Sequence, residues 1–207
     1  MLQTQTVEPR ALEILDILMQ MPELSDCLLV GGTNLSLHYG HRLSDDLDLF
    51  STAPFDIENV IRSLELKFPN LTYKIAVNVG IFGFIDDIKV DFVQYHKHPV
   101  IEPPRTDGHI RLMSTPDVVA RKVNAIMKRG VKKDFWDVAE LLDHYSVENF
   151  IEFYSRKYPS QQLMISVPQA MVYFDDAEDS EMPRSLKEQT WETVKERIRL
   201  KVREFLE

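Results

Sequence analysis

The stretch from Leu28 to Phe50 reads LLVGGTNLSLHYGHRLSDDLDLF, and it decides what the rest of the chain can be. An apolar run ends in Gly31-Gly32-Thr33, and thirteen residues beyond that threonine stands the pair Asp46-x-Asp48. Side chains at i and i+2 of a strand point to the same face, so the two aspartates are predicted to lie side by side. The leucines that alternate with them then point into a core, which fixes the carboxylates on rigid backbone.

The glycine turn and the paired carboxylates suit different parts of one ligand. A glycine-rich turn that opens a helix exposes backbone N–H groups that can hold phosphate, and paired carboxylate oxygens suit Mg²⁺. The alternative for Gly31 and Gly32 is a tight turn that needs positive φ, and this is compatible with close approach to phosphate. The alternative for Asp46 and Asp48 is an acidic strand end exposed to solvent. Together the two features indicate phosphoryl or nucleotidyl transfer.

Two blocks of sequence resemble a known family. Gly31-Gly32-Thr33 followed by Arg42-x-Ser44-x-Asp46-Leu47-Asp48-Leu49-Phe50 resembles the signature of the polymerase-beta-like nucleotidyltransferase superfamily, and within it the AbiEii-type branch. Proteins of that branch are the toxin components of some bacterial toxin–antitoxin systems. Lys122, Arg129 and Lys133-Asp134-Phe135-x-Asp137 resemble its downstream elements. The resemblance covers residues from about 10 to 145.

The resemblance implies transfer of a nucleoside monophosphate from a nucleoside triphosphate to an acceptor hydroxyl, with two Mg²⁺ ions as cofactors and Mn²⁺ as a possible substitute. Asp46 and Asp48 hold the metal of the triphosphate. The superfamily uses a third carboxylate on a neighbouring strand, which binds the second metal and favours deprotonation of the acceptor. Asp91 is the candidate because it is an acidic position inside a β-run. Asp86 and Asp87 are the alternatives, although their setting is typical of a hairpin turn.

The resemblance also implies a set of nucleotide-binding residues: Gly31, Gly32, Thr33, Arg42, Ser44, Lys122, Arg129 and Asp134. Thr33 would donate its hydroxyl to the β- or γ-phosphate, and Ser44 would help similarly. Arg42 either contacts the triphosphate or pairs with Asp45. Lys122 would compensate the charge of the triphosphate.

Asp134 and Asp137 stand at i and i+3 of a predicted helix, so they share a face that could position Lys122 or the nucleotide. The alternative for Asp134 is a carboxylate at the start of a helix, where the helix dipole favours it.

Composition excludes several classes of protein. The hydrophobic fraction of 44% and the charged fraction of 28% in 207 residues are ordinary for a globular protein. No apolar run approaches the roughly 18 residues of a membrane span, and the N-terminus lacks a signal peptide, so a cytoplasmic protein without membrane partners is expected.

The net charge of −9 argues against nonspecific binding to nucleic acid, but Arg121 to Lys133 holds six basic residues and no acidic one. The lone Cys27 is expected to be a buried small hydrophobe.

The pattern of apolar residues predicts an α/β (α+β) fold, with a mixed β-sheet core over residues 1–113 and a helical region over 114–207. The resemblance implies that the core is that of a nucleotidyltransferase and that the helical region closes over the nucleotide. Strands are predicted at 27–30, 47–50, 71–77, 81–85, 88–95 and 110–113, with a loop over 96–107. Helices are predicted at 8–21, in one or two turns over 33–41, at 56–67, from 115, at 132–144 and at 146–158. A final amphipathic helix carries Trp191, Val194, Ile198, Val202 and Phe205.

The leading prediction is therefore a toxin-type nucleotidyltransferase that modifies RNA or protein and has a cognate antitoxin. One alternative is an antibiotic-type enzyme that modifies a small molecule. Another is a nucleotide-binding interaction module that has lost turnover.

Overall fold

Short apolar runs separated by turns produce seven strands, and these form one mixed sheet in a computed structural model that describes residues 1–207. The strands are β1 (Cys27–Leu29), β2 (Leu47–Ser51), β3 (Thr72–Ala76), β4 (Gly80–Ile85), β5 (Ile88–Gln94), β6 (Arg105–Asp107) and β7 (Ile110–Leu112). Their order across the sheet is β3-β4-β5-β2-β1-β7-β6. β2 runs parallel to β5, and β1 runs parallel to β7, whereas the remaining pairs are antiparallel.

The chain divides into two units. The first comprises residues 1–38, 44–98 and 103–113, and the second comprises 39–43, 99–102 and 114–207. The first unit holds the whole sheet together with α1 (Pro9–Met19), α2 (Gly31–Tyr39) through residue 38, and α3 (Ile57–Lys67). Its core consists of apolar side chains from α1, α3 and the sheet, among them Leu47 and Leu49, which are fully buried.

The second unit is helical. It contains α4 (Thr115–Lys128), α5 (Lys132–Leu141), α6 (Val147–Lys157), α7 (Val167–Met171) and α8 (Trp191–Leu206). The side chain of Ser114 caps α4 by accepting from the N–H of Asp117, and Gly130, with φ of +45°, separates α4 from α5. α4 packs against α5, α6 and α7, and α8 packs against the same three helices. None of the helices in the chain is long and apolar enough to cross a membrane.

A buried ion pair joins residues 99–102 to the helices of the second unit. The carboxylate of Asp117 accepts hydrogen bonds from the backbone N–H groups of Ile101 and Glu102 at 3.0 to 3.1 Å. Lys157, which is fully buried, donates to Asp117 at 2.6 Å and to the carbonyl of Pro99 at 2.7 Å. The segment is therefore held against α4 and α6, and its partner Lys157 lies 58 positions beyond Pro99 in the sequence.

The predicted mixed sheet with a helical C-terminal region is confirmed as a fold class. One strand and one α-helix were not predicted. β6 lies in the segment predicted to be a loop, and its three residues are all exposed, so it carries no apolar periodicity. α7 has only five residues, and its start is set by a reciprocal cap between Ser166 and Gln169.

Candidate functional site

A row of carboxylates crosses the middle of the sheet in the first unit. Asp48 of β2 lies directly opposite Asp91 of β5, and Asp46 is the residue immediately before β2. Residues directly opposite each other on paired strands share a face, as do residues two apart on one strand. The face that carries the carboxylates is therefore opposite to the face that buries Leu47 and Leu49.

Asp91 has one oxygen that no hydrogen-bond donor satisfies. Its side chain is largely buried; Oδ2 accepts from the ammonium of Lys89, whereas Oδ1 is buried without a hydrogen-bond partner. Buried polar atoms are nearly always partnered, so this oxygen has unused capacity to accept a hydrogen bond or to bind a cation. Burial raises the pKa of the Asp91 carboxyl, Lys89 counteracts the rise, and the charges of Asp48 and Asp46 add to it. Asp46 and Asp48 thus act electrostatically on Asp91.

The two alternatives to Asp91 lie in the turn between β4 and β5. Asp86 and Asp87 both have positive φ, of 48° and 67°. Asp86 accepts from Arg10 Nε at 3.0 Å and from Asn70 at 2.8 Å, so its oxygens serve to hold the turn. Asp87 is exposed. Of the three candidates, only Asp91 lies opposite Asp48.

The glycine turn lies against the carboxylate of Asp48. Gly31 begins α2 with φ of +69°, and a Cβ atom at this position would lie 2.6 Å from Asp48 Oδ2. The N–H of the preceding Val30 donates to the carbonyl of Asp48 at 2.9 Å. Gly31 is therefore required both by its backbone conformation and by the space that the carboxylate occupies. Gly32 follows in the first turn of the helix and is half-buried.

Hydroxyl groups hold the residue before β2 in place. The Thr33 hydroxyl donates to the backbone carbonyl of Asp46 and lies 2.9 Å from the Ser44 hydroxyl, and both side chains are buried. Asn34 donates to the carbonyls of Leu29 at 2.8 Å and Met113 at 3.0 Å, which joins α2 to the ends of β1 and β7. Thr33 and Ser44 thus position the aspartate loop. Their predicted contact with phosphate stays a prediction.

A cluster of buried charges forms within the second unit. Lys122 of α4 donates to Asp134 at 2.9 Å and contacts Asp137 at 2.5 Å, both on α5. Arg42 binds Asp137 in a bidentate manner, with N–O distances of 2.7 and 2.9 Å. Arg129 donates to Asp134 at 3.1 Å, and its side chain remains 59% exposed. The predicted residues Arg42, Lys122, Arg129 and Asp134 therefore lie together in one network, whose centre is Asp137.

The network keeps its members charged. Burial alone would lower the pKa of Lys122, but Asp134 and Asp137 outweigh it and raise the pKa. Burial would raise the pKa of Asp137, but Arg42 and Lys122 hold it well below its usual range. The pKa of Asp134 is lowered for the same reason, since Lys122 and Arg129 outweigh its burial. The pairs are thus ionised at neutral pH.

Three residues near these groups had not been singled out in the sequence. Lys89 stands two residues before Asp91 on β5. This spacing places both side chains on one face, and it could have been recognised in the sequence. Asn34 carries no such signal because its acceptors are backbone carbonyls. His41 is fully buried, and its Nε2 lies 2.7 Å from Asp137 Oδ1. No spacing rule connects it to a partner 96 residues away in the sequence.

Known proteins are similar to this chain in sequence or in fold. A family model described as nucleotidyl transferase AbiEii toxin, type IV TA system, matches residues 13–204. An uncharacterized protein of Aquifex aeolicus (strain VF5), aq_aa25, is 32% identical over 201 residues, which are 94% of this chain and 95% of that protein.

Two solved structures resemble the fold at low sequence identity. JHP933 from Helicobacter pylori is 16% identical, with a TM-score of 0.59 over 95% of this chain and 92% of that one. MenT4, the nucleotidyltransferase toxin Rv2826c from Mycobacterium tuberculosis H37Rv, is 14% identical, with a TM-score of 0.57 over 93% of this chain and 82% of that one. The chain belongs to the AbiEii nucleotidyltransferase toxin family, and it is a nucleotidyltransferase of the toxin type.

The close contact between Gly31 and Asp48 gives a first prediction. Gly31→Ala places a methyl group where Asp48 Oδ2 lies, so the carboxylate must move, and nucleotidyl transfer should fall at least about tenfold. The variant should also lose about 1–2 kcal/mol of unfolding free energy, since φ is positive. Gly108→Ala is the matched control, because Gly108 has φ of +59° with nothing within 4 Å of its Cβ position. Urea unfolding and transfer rates of both variants test this. Equal transfer rates in the two would contradict it.

The charge cluster gives a second prediction. Asp137→Asn keeps the shape of the side chain but leaves Arg42 and Lys122 buried with one carboxylate fewer, so unfolding free energy should fall by about 3–5 kcal/mol. The control is Asp143→Asn, which breaks a half-exposed pair with Arg197 and should cost less than about 1 kcal/mol. Urea denaturation measures both. A loss below 1 kcal/mol for Asp137→Asn would show that the network contributes little.

Proposed function

We propose that this chain transfers a nucleoside monophosphate from a nucleoside triphosphate to an acceptor hydroxyl, and that Asp46, Asp48 and Asp91 are the residues of the reaction centre. The observation that carries the proposal is the opposition of Asp48 and Asp91 on β2 and β5, with an unpartnered oxygen on Asp91. Membership of the AbiEii family supports the class of reaction.

The carboxylates fit divalent metal ions, for which Mg²⁺ is the proposed cofactor and Mn²⁺ a substitute. No group of three or more His, Cys, Asp or Glu side chains in residues 1–207 is arranged to hold a metal ion by itself. Mg²⁺ usually takes only one or two carboxylates and completes its shell with phosphate oxygens and water. Asp46 and Asp48 would hold the ion of the triphosphate, and Asp91 would hold a second. When bound, such ions stabilise the charge on the attacking and leaving oxygens.

The residues of the chain would do the following in this reaction. The glycine turn at Gly31 and Gly32 would bring backbone N–H groups to the phosphates, because the absence of side chains permits close approach. The acceptor oxygen forms a bond to the α-phosphorus, the bond from the α-phosphorus to the bridging oxygen breaks, and pyrophosphate leaves. Asp91 would favour deprotonation of the acceptor hydroxyl, and the proton passes to solvent.

The reaction centre gives a third prediction. Asp48→Asn removes a charge from the row while keeping the shape, so the fold should survive while transfer collapses. Asp91→Asn should keep much of the affinity for triphosphate, because phosphate oxygens and the other two aspartates remain, yet it should lose transfer by at least about 10²-fold. The assay incubates the protein with each labelled triphosphate, Mg²⁺, and total RNA or protein extract.

Asp87→Asn is the control for Asp91→Asn, because Asp87 lies exposed in the adjacent turn. Unchanged transfer in Asp48→Asn would exclude the proposed centre. If Asp87→Asn abolished transfer while Asp91→Asn did not, the third carboxylate would be the wrong residue. Tight binding of triphosphate without labelling of any acceptor by the wild type would favour a binding module. Labelling of a small molecule alone would favour the antibiotic-type alternative.

The predicted role of the charge cluster in nucleotide binding leads to a fourth prediction. In this cluster the cations Arg42, Lys122 and Arg129 contact the carboxylates of Asp134 and Asp137. Lys122 is buried between both carboxylates, whereas Arg129 is exposed enough to contact a ligand. Arg129→Ala should therefore weaken binding of a nonhydrolysable triphosphate, and added salt should diminish the difference from the wild type.

Lys128→Ala is the matched control, since it removes the neighbouring exposed cation. Calorimetric titration of the triphosphate into both variants at two salt concentrations measures the effect. Equal affinities would remove Arg129 from the proposed nucleotide site.

The family also suggests a biological role. We propose that the protein inhibits growth by modifying an RNA or protein acceptor, and that a cognate antitoxin counteracts it. Expression of the wild type without a partner should arrest growth, and expression of Asp91→Asn should be harmless at the same protein level.

A further inference from the structure

Lys89 is a cation bound within the row of carboxylates of the first unit. It stands two residues before Asp91 on β5, and side chains two apart on a strand share a face. Its ammonium donates to Oδ2 of Asp91. Asp91 in turn lies opposite Asp48 of β2, so the ammonium is bound to one member of an opposed pair of carboxylates.

The ammonium of Lys89 carries its charge at neutral pH. Burial alone would lower the pKa of this side chain, but the hydrogen bond to Asp91 and the charges of the three aspartates outweigh burial and raise the pKa. Three carboxylates and one ammonium therefore interact at this face of the sheet. A positive charge of the chain itself already offsets part of the negative charge that a metal ion would otherwise neutralise.

The ammonium and a metal ion would bind the same carboxylate. Oδ2 of Asp91 is bound to Lys89, and Oδ1 is buried without a hydrogen-bond partner. An ion bound to both oxygens must displace the ammonium, and an ion bound to Oδ1 alone lies close to a positive charge. In either case Lys89 raises the free energy of the metal-bound state.

The lysine can leave the carboxylate without disturbing the fold. Its side chain is 41% exposed, whereas that of Asp91 is 12% exposed. A lysine has a flexible stem that ends in a strongly hydrated ammonium, so it can turn to solvent at a small cost in free energy. Ion pairs with an exposed partner contribute little to stability. The contact between Lys89 and Asp91 is therefore suited to being made and broken.

We propose, on the basis of the function proposed above, that Lys89 is a built-in counter-ion of Asp91 that competes with the second divalent ion. In the metal-free protein the ammonium holds Asp91 and offsets the repulsion between Asp91 and Asp48. The second ion binds Asp91 by displacing the ammonium, so its affinity is lower than that of the ion held by Asp46 and Asp48. Lys89 thereby sets the concentration of Mg²⁺ at which both ions are present.

Binding of Mn²⁺ to the nucleotide-free protein tests the competition without turnover. The signal of free Mn²⁺ in electron paramagnetic resonance is followed during titration of the wild type, Lys89→Met, Lys89→Arg and Lys74→Met. Lys89→Met keeps an unbranched stem but removes the charge, so the weaker site should bind Mn²⁺ about tenfold more tightly. Lys89→Arg keeps the charge and should bind Mn²⁺ no more tightly than the wild type.

Lys74→Met is the matched control. Lys74 is exposed on the same face and two strands away, since it lies opposite Phe82 of β4, which lies opposite Asp91. Two strand spacings are about 10 Å, a distance at which solvent and salt screen an exposed charge. Removal of this charge should therefore change the affinity for Mn²⁺ less than about twofold.

A double variant separates direct competition from an effect of overall charge. In Lys89→Met/Asp91→Asn the carboxylate is absent, so the affinity for Mn²⁺ should equal that of Asp91→Asn alone. If Lys89→Met strengthened binding equally in both backgrounds, the lysine would act through overall charge and the proposal would be overturned. Equal affinities of Lys89→Met and the wild type for Mn²⁺ would also overturn it.

Thermal unfolding gives a second measurement of the same competition. A ligand that binds the folded protein raises the melting temperature, and it does so more strongly when it binds more tightly. The same excess of Mn²⁺ should therefore raise the melting temperature of Lys89→Met more than that of the wild type. An equal rise in both proteins would contradict the competition.

The transfer reaction distinguishes this proposal from the proposed function. The Mg²⁺ concentration that gives half-maximal transfer should be lower for Lys89→Met than for the wild type. If Mn²⁺ binding depends on Lys89 as expected but the wild type labels no acceptor, the proposed function fails and the counter-ion role stands. If transfer is observed but Mn²⁺ binding is independent of Lys89, the proposed function stands and the counter-ion role fails.

Discussion

The alternation of Asp46, Leu47, Asp48 and Leu49 is the constraint on which the first unit depends. Side chains in a strand alternate between faces, so a shift of one residue would bury the aspartates and expose the leucines. The buried leucines therefore fix the register, and the register fixes Asp48 opposite Asp91. Burial of apolar area thus stabilises an arrangement of like charges that would repel one another without a cation. One face of the strand thus contributes to the stability of the core, and the other face presents the carboxylates.

The glycine turn contacts the same strand through hydrogen bonds to its backbone. The N–H of Val30 donates to the carbonyl of Asp48, and Thr33 donates to the carbonyl of Asp46, so backbone acceptors at both aspartates are bonded to the start of α2. An internal cation, Lys89, is bound to one oxygen of Asp91. Divalent ions in the proposed reaction would therefore bind at a site where a lysine already neutralises part of the charge.

In the second unit, the buried carboxylates are paired with cations. Asp137 is fully buried and is matched by Arg42, Lys122 and His41, and Asp117 is matched by Lys157 and by backbone N–H groups. Ions are buried at a high cost in solvation free energy, so they persist only where the partners are close and the hydrogen bonds are complete. Each carboxylate links segments that are distant in the sequence. These ion pairs consequently specify how the helices pack against one another. Apolar packing alone would specify this less narrowly.

The sequence by itself determined the mixed sheet, the turn at Gly31, and the placement of Asp48 and Asp91 within strands. These follow from periodicity and local backbone preference, which are properties of neighbouring residues. It did not determine β6 or α7, which are too short for a periodic signal. Nor did it determine that Asp137 pairs with Arg42 and His41, or that Asp91 lies opposite Asp48. Those relations depend on strand order, register and helix packing, which bring together residues up to 96 positions apart. Only the tertiary structure decides them, because the free energy that favours one long-range pairing is the sum of many contacts throughout the packed core.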